Sequence, residues 1–169
     1  MNILIVDGYN VIGAWPELRA LKDKDLSAAR DRLIEKMAEY RAYSGYRVIV
    51  VFDAHFVKGT EKQYKNHNVE VIFTRTNETA DERIEKLAIS LNNIKTQIHV
   101  ATSDYTEQWA IFGQGALRKS SRELLNEMNN IENRIDKRVK KIQEEKPFSR
   151  IPLSNEVSEI FEKWRRGKP

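Results

Sequence analysis

The sequence contains no cysteine among its 169 residues. Disulfide bridges, thiol nucleophiles and zinc sites with thiolate ligands are therefore excluded, and the composition agrees with a reducing compartment. Seven glycines and four prolines are too few for a collagen-like or low-complexity chain. The longest apolar runs, residues 3–6 and 48–52, are far shorter than the roughly 20 residues of a membrane helix. No basic leader opens the chain, so we predict a folded cytoplasmic protein with no secretory signal and no membrane partner.

Positive charge is unevenly distributed along the chain. Residues 1–116 contain 15 Lys and Arg against 16 Asp and Glu, whereas residues 117–169 contain 14 against 9. A basic C-terminal third beside a neutral body is typical of a protein with a polyanionic partner, and nucleic acid is the first candidate. A solvated helical surface is the alternative interpretation of the same pattern.

Four short segments rich in Ile and Val predict β-strands. They are residues 2–7, 47–53, 69–74 and 97–102. The first two are almost continuously apolar, as expected of strands that helices cover on both faces. Strands that alternate with helices indicate an α/β fold with a mainly parallel sheet, and the 40% hydrophobic content suits a single domain, residues 1–169.

Apolar residues at helical spacing predict the helices between these strands. One helix carries its stripe from Leu26 to Tyr40 and ends at Gly45. A second begins at Thr79, where Ser/Thr-x-x-Glu forms a capping box, and a third follows Thr102.

Residues 117–169 predict a basic helical extension packed on an α/β body formed by residues 1–116. Ser120 and Glu123 form a second capping box, which opens a long helix. Its narrow apolar seam consists of Leu124, Met128, Ile131, Ile135, Val139 and Ile142. We expect the helix to pack on the body along this seam, because the seam is too short for the several heptads of a coiled coil. A last helix, capped by Ser154, is expected to pack back on the body as well.

Carboxylates follow three of the predicted strands, at the edge where an open parallel sheet binds ligands. Asp7 ends the first strand, Asp53 ends the second, and Asp104 follows the fourth. Another carboxylate, Asp81, lies in the first turn of the Thr79 helix, in line with its buried face. Each has a possible local role at a helix end or turn, but Asp7 precedes a glycine and has no evident structural use. Convergence of Asp7, Asp81 and Asp104 predicts a Mg²⁺ or Mn²⁺ site that acts on phosphate esters, because clustered carboxylates repel each other without a cation.

Three segments around these acids resemble the NYN family of PIN-like nucleases, and especially its bacterial YacP-type subgroup of ribosome-associated endoribonucleases. They read ILIVDGYNVIGAWP, TADERIEKL and VATSDYTEQ, and the resemblance extends through FGQGALRKSSREL over nearly the whole chain. It implies a PIN-like three-layer α/β/α fold and a metal-dependent endoribonuclease that cleaves RNA, expected to be mRNA on the ribosome, to 5′-phosphate and 3′-hydroxyl ends. The resemblance assigns Asp7, Asp81 and Asp104 as Mg²⁺ or Mn²⁺ ligands, with one or two ions left open. Asn10 then positions a metal-bound water or a phosphate, and Asp53 supports the site from outside the ligand set.

Two segments supply cations that could hold RNA. Residues 54–68 have no apolar face and predict a mobile loop beside the second strand, although a solvated connector fits equally well. Its candidate RNA contacts are His55, Lys58, Lys62 and Lys65. The turn at residues 113–115 precedes a helix start, which favours phosphate binding, and its candidate contacts are Arg118, Lys119 and Arg122. This Gly-x-Gly lacks a third glycine and follows a helix, so no nucleotide cofactor is predicted.

Three other functions fit parts of the sequence. A non-catalytic ribosome- or RNA-binding factor would use the basic surface if the carboxylates were structural. His55 or His67 could act as a general base on an RNA 2′-hydroxyl, but neither has a partner that would fix its tautomer, and His99 falls inside a strand. A haloacid-dehalogenase-like phosphatase would need a second acid two residues after Asp7, where Tyr9 stands.

Overall fold

The computed structural model describes residues 1–54, 63–66, 68–103 and 115–145. Within them, the order of elements is β1 (Asn2–Asp7), α1 (Gly8–Ala14), α2 (Pro16–Lys24), α3 (Leu26–Ser44), β2 (Arg47–Phe52), β3 (Gln63–Asn66), β4 (Val69–Phe73), α4 (Ala80–Leu91), β5 (Gln97–Ala101), β6 (Leu117–Lys119) and α5 (Ser121–Glu145). The strands form one sheet in the order β3-β4-β2-β1-β5-β6. β3 runs antiparallel to β4, and the other five strands are parallel. The predicted α/β class with a mainly parallel sheet is confirmed.

The central strand β1 is apolar along its length because helices cover both of its faces. Ile3 and Ile5 pack on one face in a cluster with Ile84 of α4. Leu4 and Val6 pack on the other face, in a cluster that includes buried residues of α1, α2, α3 and α5. Alternate side chains of one strand therefore serve two cores, which gives the three-layer α/β/α arrangement.

The predicted helix ends are confirmed by their capping contacts. Thr79 Oγ1 accepts a hydrogen bond from the Glu82 N–H at 3.2 Å, and Ser120 Oγ accepts one from the Glu123 N–H at 3.0 Å. α3 ends at Gly45, whose φ of 75° lies in the left-handed region that glycine adopts without strain. The capping residues thus fixed these boundaries locally.

Two helices between β1 and β2 were not predicted. α1 has 7 residues and α2 has 9, and Pro16 occupies the first turn of α2. Helices this short show fewer than three turns of apolar periodicity, so a periodic pattern does not identify them. Burial of Val11, Ile12 and Leu18 in the core stabilises them instead.

Two strands also lie where irregular structure was predicted. The mobile-loop prediction for residues 54–68 is wrong for residues 63–66, because these form β3 and pair with β4. Asn68, with a φ of 66°, lies in the turn between the two strands. β6 pairs with β5 where the sequence predicted only a turn before a helix. Both are polar edge strands, so backbone pairing rather than an apolar pattern holds them in place.

The chain divides into two compact units, Met1–Ile131 and Glu132–Pro169, and the boundary falls inside α5. In the first unit, Leu124, Met128 and Ile131 of the apolar seam are buried. The other three seam residues are 39–47% exposed: Ile135, Val139 and Ile142. The second half of the seam belongs to the second unit, and its packing on the body stays a prediction.

The helices predicted after Thr102 and at Ser154 lie outside the described residues. In the part of the chain that is described, no helix is long and apolar enough to cross a membrane.

Candidate active site

The carboxyl ends of the five parallel strands lie at one edge of the sheet. β1 ends in Asp7, β2 is followed by Asp53, and β4 is followed by Thr74. β5 is followed by Thr102 and Ser103. In open α/β sheets, ligands bind in a crevice outside the carboxyl ends of the strands, where the connections to the helices turn away from the sheet.

Asp7 is a nearly buried carboxylate at the centre of this edge, 8% exposed. Although Asp7 occupies the N-cap position of α1, its side chain makes no cap hydrogen bond to that helix within the described structure. Its Oδ2 instead accepts a hydrogen bond from the hydroxyl of the fully buried Thr102 at 3.2 Å. Burial of a carboxylate costs free energy unless hydrogen bonds or a cation compensate it. Because Asp7 makes no cap hydrogen bond, helix capping does not explain why a carboxylate is buried at this position.

Asn10 connects three elements through its side-chain carbonyl. Its Oδ1 accepts hydrogen bonds from the Ser103 N–H at 2.8 Å and from the Ser121 hydroxyl at 2.9 Å. The Ser121 N–H donates to Ser103 Oγ at 3.1 Å, and the Trp15 indole N–H donates to the Ser121 carbonyl at 2.7 Å. The Oδ1 atom of Asn10 is therefore engaged by protein donors, and its amide NH₂ is the group with which it would contact a water or a phosphate. Sequence reasoning missed this network, because no local signal links Trp15 or Ser121 to this edge.

Asp53 and Asp81 lie together at the N-terminus of α4. The Ala80 N–H donates to Asp53 Oδ2 at 3.5 Å, and Asp81 is the next residue. Asp81 is half-buried, whereas the adjacent Glu82 is exposed, as their positions around the helix predict. The fold thus brings two further carboxylates, one after β2 and one at the start of α4, to the edge that Asp7 occupies.

Gly8 allows the chain to pass close to an aromatic cluster below this edge. A Cβ atom at Gly8 would lie 2.5 Å from Phe52 Cδ1 and 3.1 Å from the Val51 carbonyl oxygen. The Phe52 ring lies between Tyr9 and Phe73, at centroid distances of 5.0 and 5.3 Å. The glycine after Asp7 is therefore required by packing.

Arg30 of α3 is a cation at this edge that sequence reasoning missed. Its Nη1 donates to the Tyr9 hydroxyl at 3.1 Å, and its guanidinium carbon lies 6.0 Å from the centroid of the Phe73 ring. Burial raises the pKa of the Tyr9 hydroxyl, Arg30 opposes the rise and the Asp53 carboxylate adds to it. The Phe52 ring, which packs against Tyr9 and Phe73, directly precedes Asp53, so the Arg30–Tyr9 pair and this carboxylate lie at the same edge of the sheet.

The predicted RNA contacts of the C-terminal segment differ in environment. Arg118 and Arg122 are exposed. The Lys119 side chain is 14% exposed, forms an ion pair with Glu127 at 2.6 Å and donates to the Tyr40 hydroxyl at 3.4 Å. Lys119 is an internal partner of Glu127, so its charge is largely engaged within the protein.

His99 lies in β5, within the sheet as predicted. Its Nε2 atom is 3.3 Å from Asn2 Oδ1, and its ring centroid is 5.4 Å from that of Tyr46. Burial lowers the pKa of His99 and the nearby Lys119 lowers it further, so the ring is neutral at physiological pH. Of the other candidates, Lys65 belongs to β3, and four residues lie outside the described part of the chain: His55, Lys58, Lys62 and Asp104.

The donor chemistry at the edge fits a hard divalent cation. Asp7, Asp53 and Asp81 offer carboxylate oxygens, which Mg²⁺ and Mn²⁺ prefer, and the buried position of Asp7 is one that a cation would stabilise. Within residues 1–54, 68–103 and 115–143, no three His, Asp or Glu side chains form a group that could hold a metal ion. The remaining predicted ligand, Asp104, directly follows Ser103 and lies outside these ranges.

The parallel sheet, the three layers and the acid-bearing edge together define a PIN-like α/β protein. A family model described as "YacP-like NYN domain" matches residues 4–166. The chain is 71% identical over 167 residues to "Uncharacterized protein YacP" of Bacillus subtilis (strain 168), covering 99% of this chain and 98% of that protein.

Solved structures agree with this assignment. The crystal structure of Rae1 (YacP) from Bacillus subtilis matches with a TM-score of 0.77 and 71% identity, covering 99% of this chain and 96% of that one. The structure of its W164L mutant matches with a TM-score of 0.77, 66% identity and the same coverage. The chain belongs to the YacP-like NYN domain family, and its function is of the nuclease type and related to RNA.

Proposed function

We propose that the protein is a Mg²⁺- or Mn²⁺-dependent endoribonuclease that hydrolyses mRNA in association with the ribosome. The observation that best supports this proposal is the nearly buried carboxylate of Asp7, which lies at the binding edge of the sheet and does not cap the helix it precedes. A carboxylate in that position is stabilised by a bound cation, and the family is one of nucleases.

The ligand set in this proposal is Asp7, Asp81 and Asp104, with Asp53 outside it. A divalent cation held there stabilises negative charge on a phosphodiester and lowers the pKa of a water. Thr102 orients the Asp7 carboxylate through its hydroxyl. Asn10 holds the backbone of Ser103, and with it the start of the segment that carries Asp104.

The proposed chemistry determines the products. Water attacks phosphorus and the bond to the 3′-oxygen breaks, so the RNA ends carry a 5′-phosphate and a 3′-hydroxyl. Attack by a 2′-hydroxyl, with a histidine as general base, would instead give a 2′,3′-cyclic phosphate and a 5′-hydroxyl.

The proposed partner follows from charge. Residues 117–169 contain 14 Lys and Arg against 9 Asp and Glu. Arg118, in β6, and Arg122, at the start of α5, are exposed. Such a surface favours a phosphate backbone, either of free RNA or of ribosomal RNA.

The test is cleavage of 5′-labelled mRNA with Mg²⁺, with Mn²⁺ and with EDTA, each with and without translating ribosomes. We expect metal-dependent cleavage, none in EDTA, and ends that can be ligated through a 5′-phosphate. Cyclic phosphate ends that persist in EDTA would contradict the carboxylate site. Binding to RNA or ribosomes without any cleavage would favour the non-catalytic binding factor.

Two variants locate the chemistry. Asp7→Asn and Asp81→Asn are expected to abolish cleavage and to keep the fold, because each removes a charge without creating a cavity. Without metal, their melting temperatures should equal or exceed that of the wild type, because repulsion among the acids falls. Asp23→Asn, at an exposed position of α2, is the matched control and should cleave normally. Cleavage within severalfold of wild type by either site variant would reject the assignment.

A further inference from the structure

Arg30 is a second functional group at the site edge, independent of the carboxylates. It lies in the second turn of α3 and contacts Tyr9, near the start of α1, and Phe73, the last residue of β4. α1 begins directly after β1, so both contacts are at the carboxyl edge of the sheet. Asp53 directly follows Phe52, whose ring packs between Tyr9 and Phe73, so the pair lies at the same edge as this carboxylate.

The contacts of Arg30 hold the guanidinium without neutralising it. The side chain is half-buried, and one of its five N–H donors is used on the Tyr9 hydroxyl. Among residues 1–54, 68–103 and 115–143, no carboxylate forms an ion pair with Arg30. Other arginines of the same region are paired in this way, for example Arg32 with Glu17 at 3.0 Å.

An arginine fixed in this manner suits a phosphate. A guanidinium presents its donors in a planar fork that matches two phosphate oxygens, and it stays charged at every physiological pH. Its cation–π contact with the Phe73 ring and its hydrogen bond to Tyr9 favour one orientation of the fork before a ligand binds, which reduces the entropy lost on binding.

We propose that Arg30 binds a phosphate of the RNA backbone next to the bond that is cleaved, and that Tyr9 is the residue that positions it. This subsite deepens the proposed function and rests on it for the identity of the ligand. Arg30 contacts the substrate, whereas Tyr9 acts through Arg30.

The test measures binding and cleavage separately. Binding of a 5′-fluorescein-labelled single-stranded RNA is followed by anisotropy in EDTA at several KCl concentrations, and cleavage is followed with Mn²⁺. The variants are Arg30→Gln, Arg30→Lys and Tyr9→Phe. Arg41→Gln is the matched control, because Arg41 is exposed on the same helix, about 16 Å further along its axis.

Arg30→Gln is expected to weaken RNA binding about tenfold or more, to raise KM with little change in kcat, and to reduce the salt slope of log K by about 0.7, as one lost phosphate contact does on single strands. Arg30→Lys should restore the salt slope but only part of the affinity, because lysine lacks the fork. Tyr9→Phe should change KM in the same direction by a smaller factor, with the salt slope retained. Arg41→Gln should match the wild type.

Arg30→Gln or Arg30→Lys that is folded by circular dichroism and binds RNA with wild-type affinity and salt slope would overturn the subsite. If Arg30→Gln does not fold, wild-type RNA affinity of Arg30→Lys is sufficient to overturn the subsite, because the guanidinium fork is then not used for binding. Loss of affinity at Arg30 in a protein that never cleaves RNA would support phosphate binding by Arg30, but it would overturn the nuclease and with it the position of the subsite beside a cleaved bond. Normal cleavage by every variant would reject the subsite and leave the nuclease intact. A wild type that neither binds nor cleaves RNA would overturn both.

Discussion

Substituting Gly8 by alanine tests the packing that holds Asp7 in place. The new Cβ would lie 2.5 Å from Phe52 Cδ1, nearer still to Cε1, and 3.1 Å from the Val51 carbonyl oxygen. Because non-bonded carbons are in contact at about 3.5 Å, the Phe52 ring or the backbone must move by about 1 Å. The ring cannot retreat freely, since Phe52 is fully buried between Tyr9 and Phe73.

The expected destabilisation by Gly8→Ala follows from this geometry. Overpacking of a well-filled core costs about 1–3 kcal/mol, and the rings on both sides of Phe52 place the cost near the upper end, about 2–3 kcal/mol. For a chain of this size each kcal/mol lowers the melting temperature by about 2–4 °C, so we expect a decrease of about 4–12 °C.

A second glycine of the same helix provides the control with the opposite sign. A Cβ at Gly13 would have no heavy atom within 4 Å. Gly13→Ala should therefore stabilise the protein by about 0.5–1 kcal/mol, because alanine loses less backbone entropy in a helix. Urea unfolding followed by tryptophan fluorescence measures both, since Trp15 is 1% exposed and reports on the core. A Gly8→Ala variant as stable as the wild type would refute the packing argument.

Four further variants test other contacts. Glu78→Gln removes a carboxylate charge. Burial disfavours this charge, but hydrogen bonds from Lys86 and Arg83 outweigh the cost of burial and lower the pKa of Glu78. The wild type should therefore be more stable than this variant by about 1–2 kcal/mol at neutral pH, and the difference should shrink as the pH falls below about 4.3, the value of an unfolded glutamate; a difference independent of pH would contradict the ion pair. Lys119→Ala should lower the free energy of unfolding by about 1 kcal/mol, because its ion pair with Glu127 is lost; a variant as stable as the wild type would contradict that ion pair. Arg118→Ala should reduce the salt slope of RNA binding, and an unchanged slope would contradict a phosphate contact there. Asn10→Ala should lower the free energy of unfolding, measured in urea, by about 2 kcal/mol, because the Ser103 N–H and the Ser121 hydroxyl lose their acceptor. Unchanged stability would contradict this reasoning and show that water replaces the Asn10 carbonyl.

Sequence patterns determined the elements whose stabilisation is local or periodic. The apolar runs of β1 and β2 predicted strands covered on both faces, and two cores flank them. The capping residues Thr79 and Ser120 set the starts of α4 and α5, since the donor they satisfy lies three residues away. The sequence predicted Asp7 and Asp53 at one edge because parallel strands end together, and Asp81 because it lies in the first turn of the Thr79 helix, in line with the buried face.

The tertiary structure decided the features that depend on residues distant in the chain. β3 and β6 are edge strands with polar sequences, so pairing with β4 and β5 creates them. Asn10 and Ser121 are hydrogen-bonded although 111 residues separate them, and Arg30 meets Tyr9 across 21 residues. Periodicity and capping act between residues that are a few positions apart. Contacts between residues distant in the chain stabilise the protein only after the sheet has formed and brought those residues together.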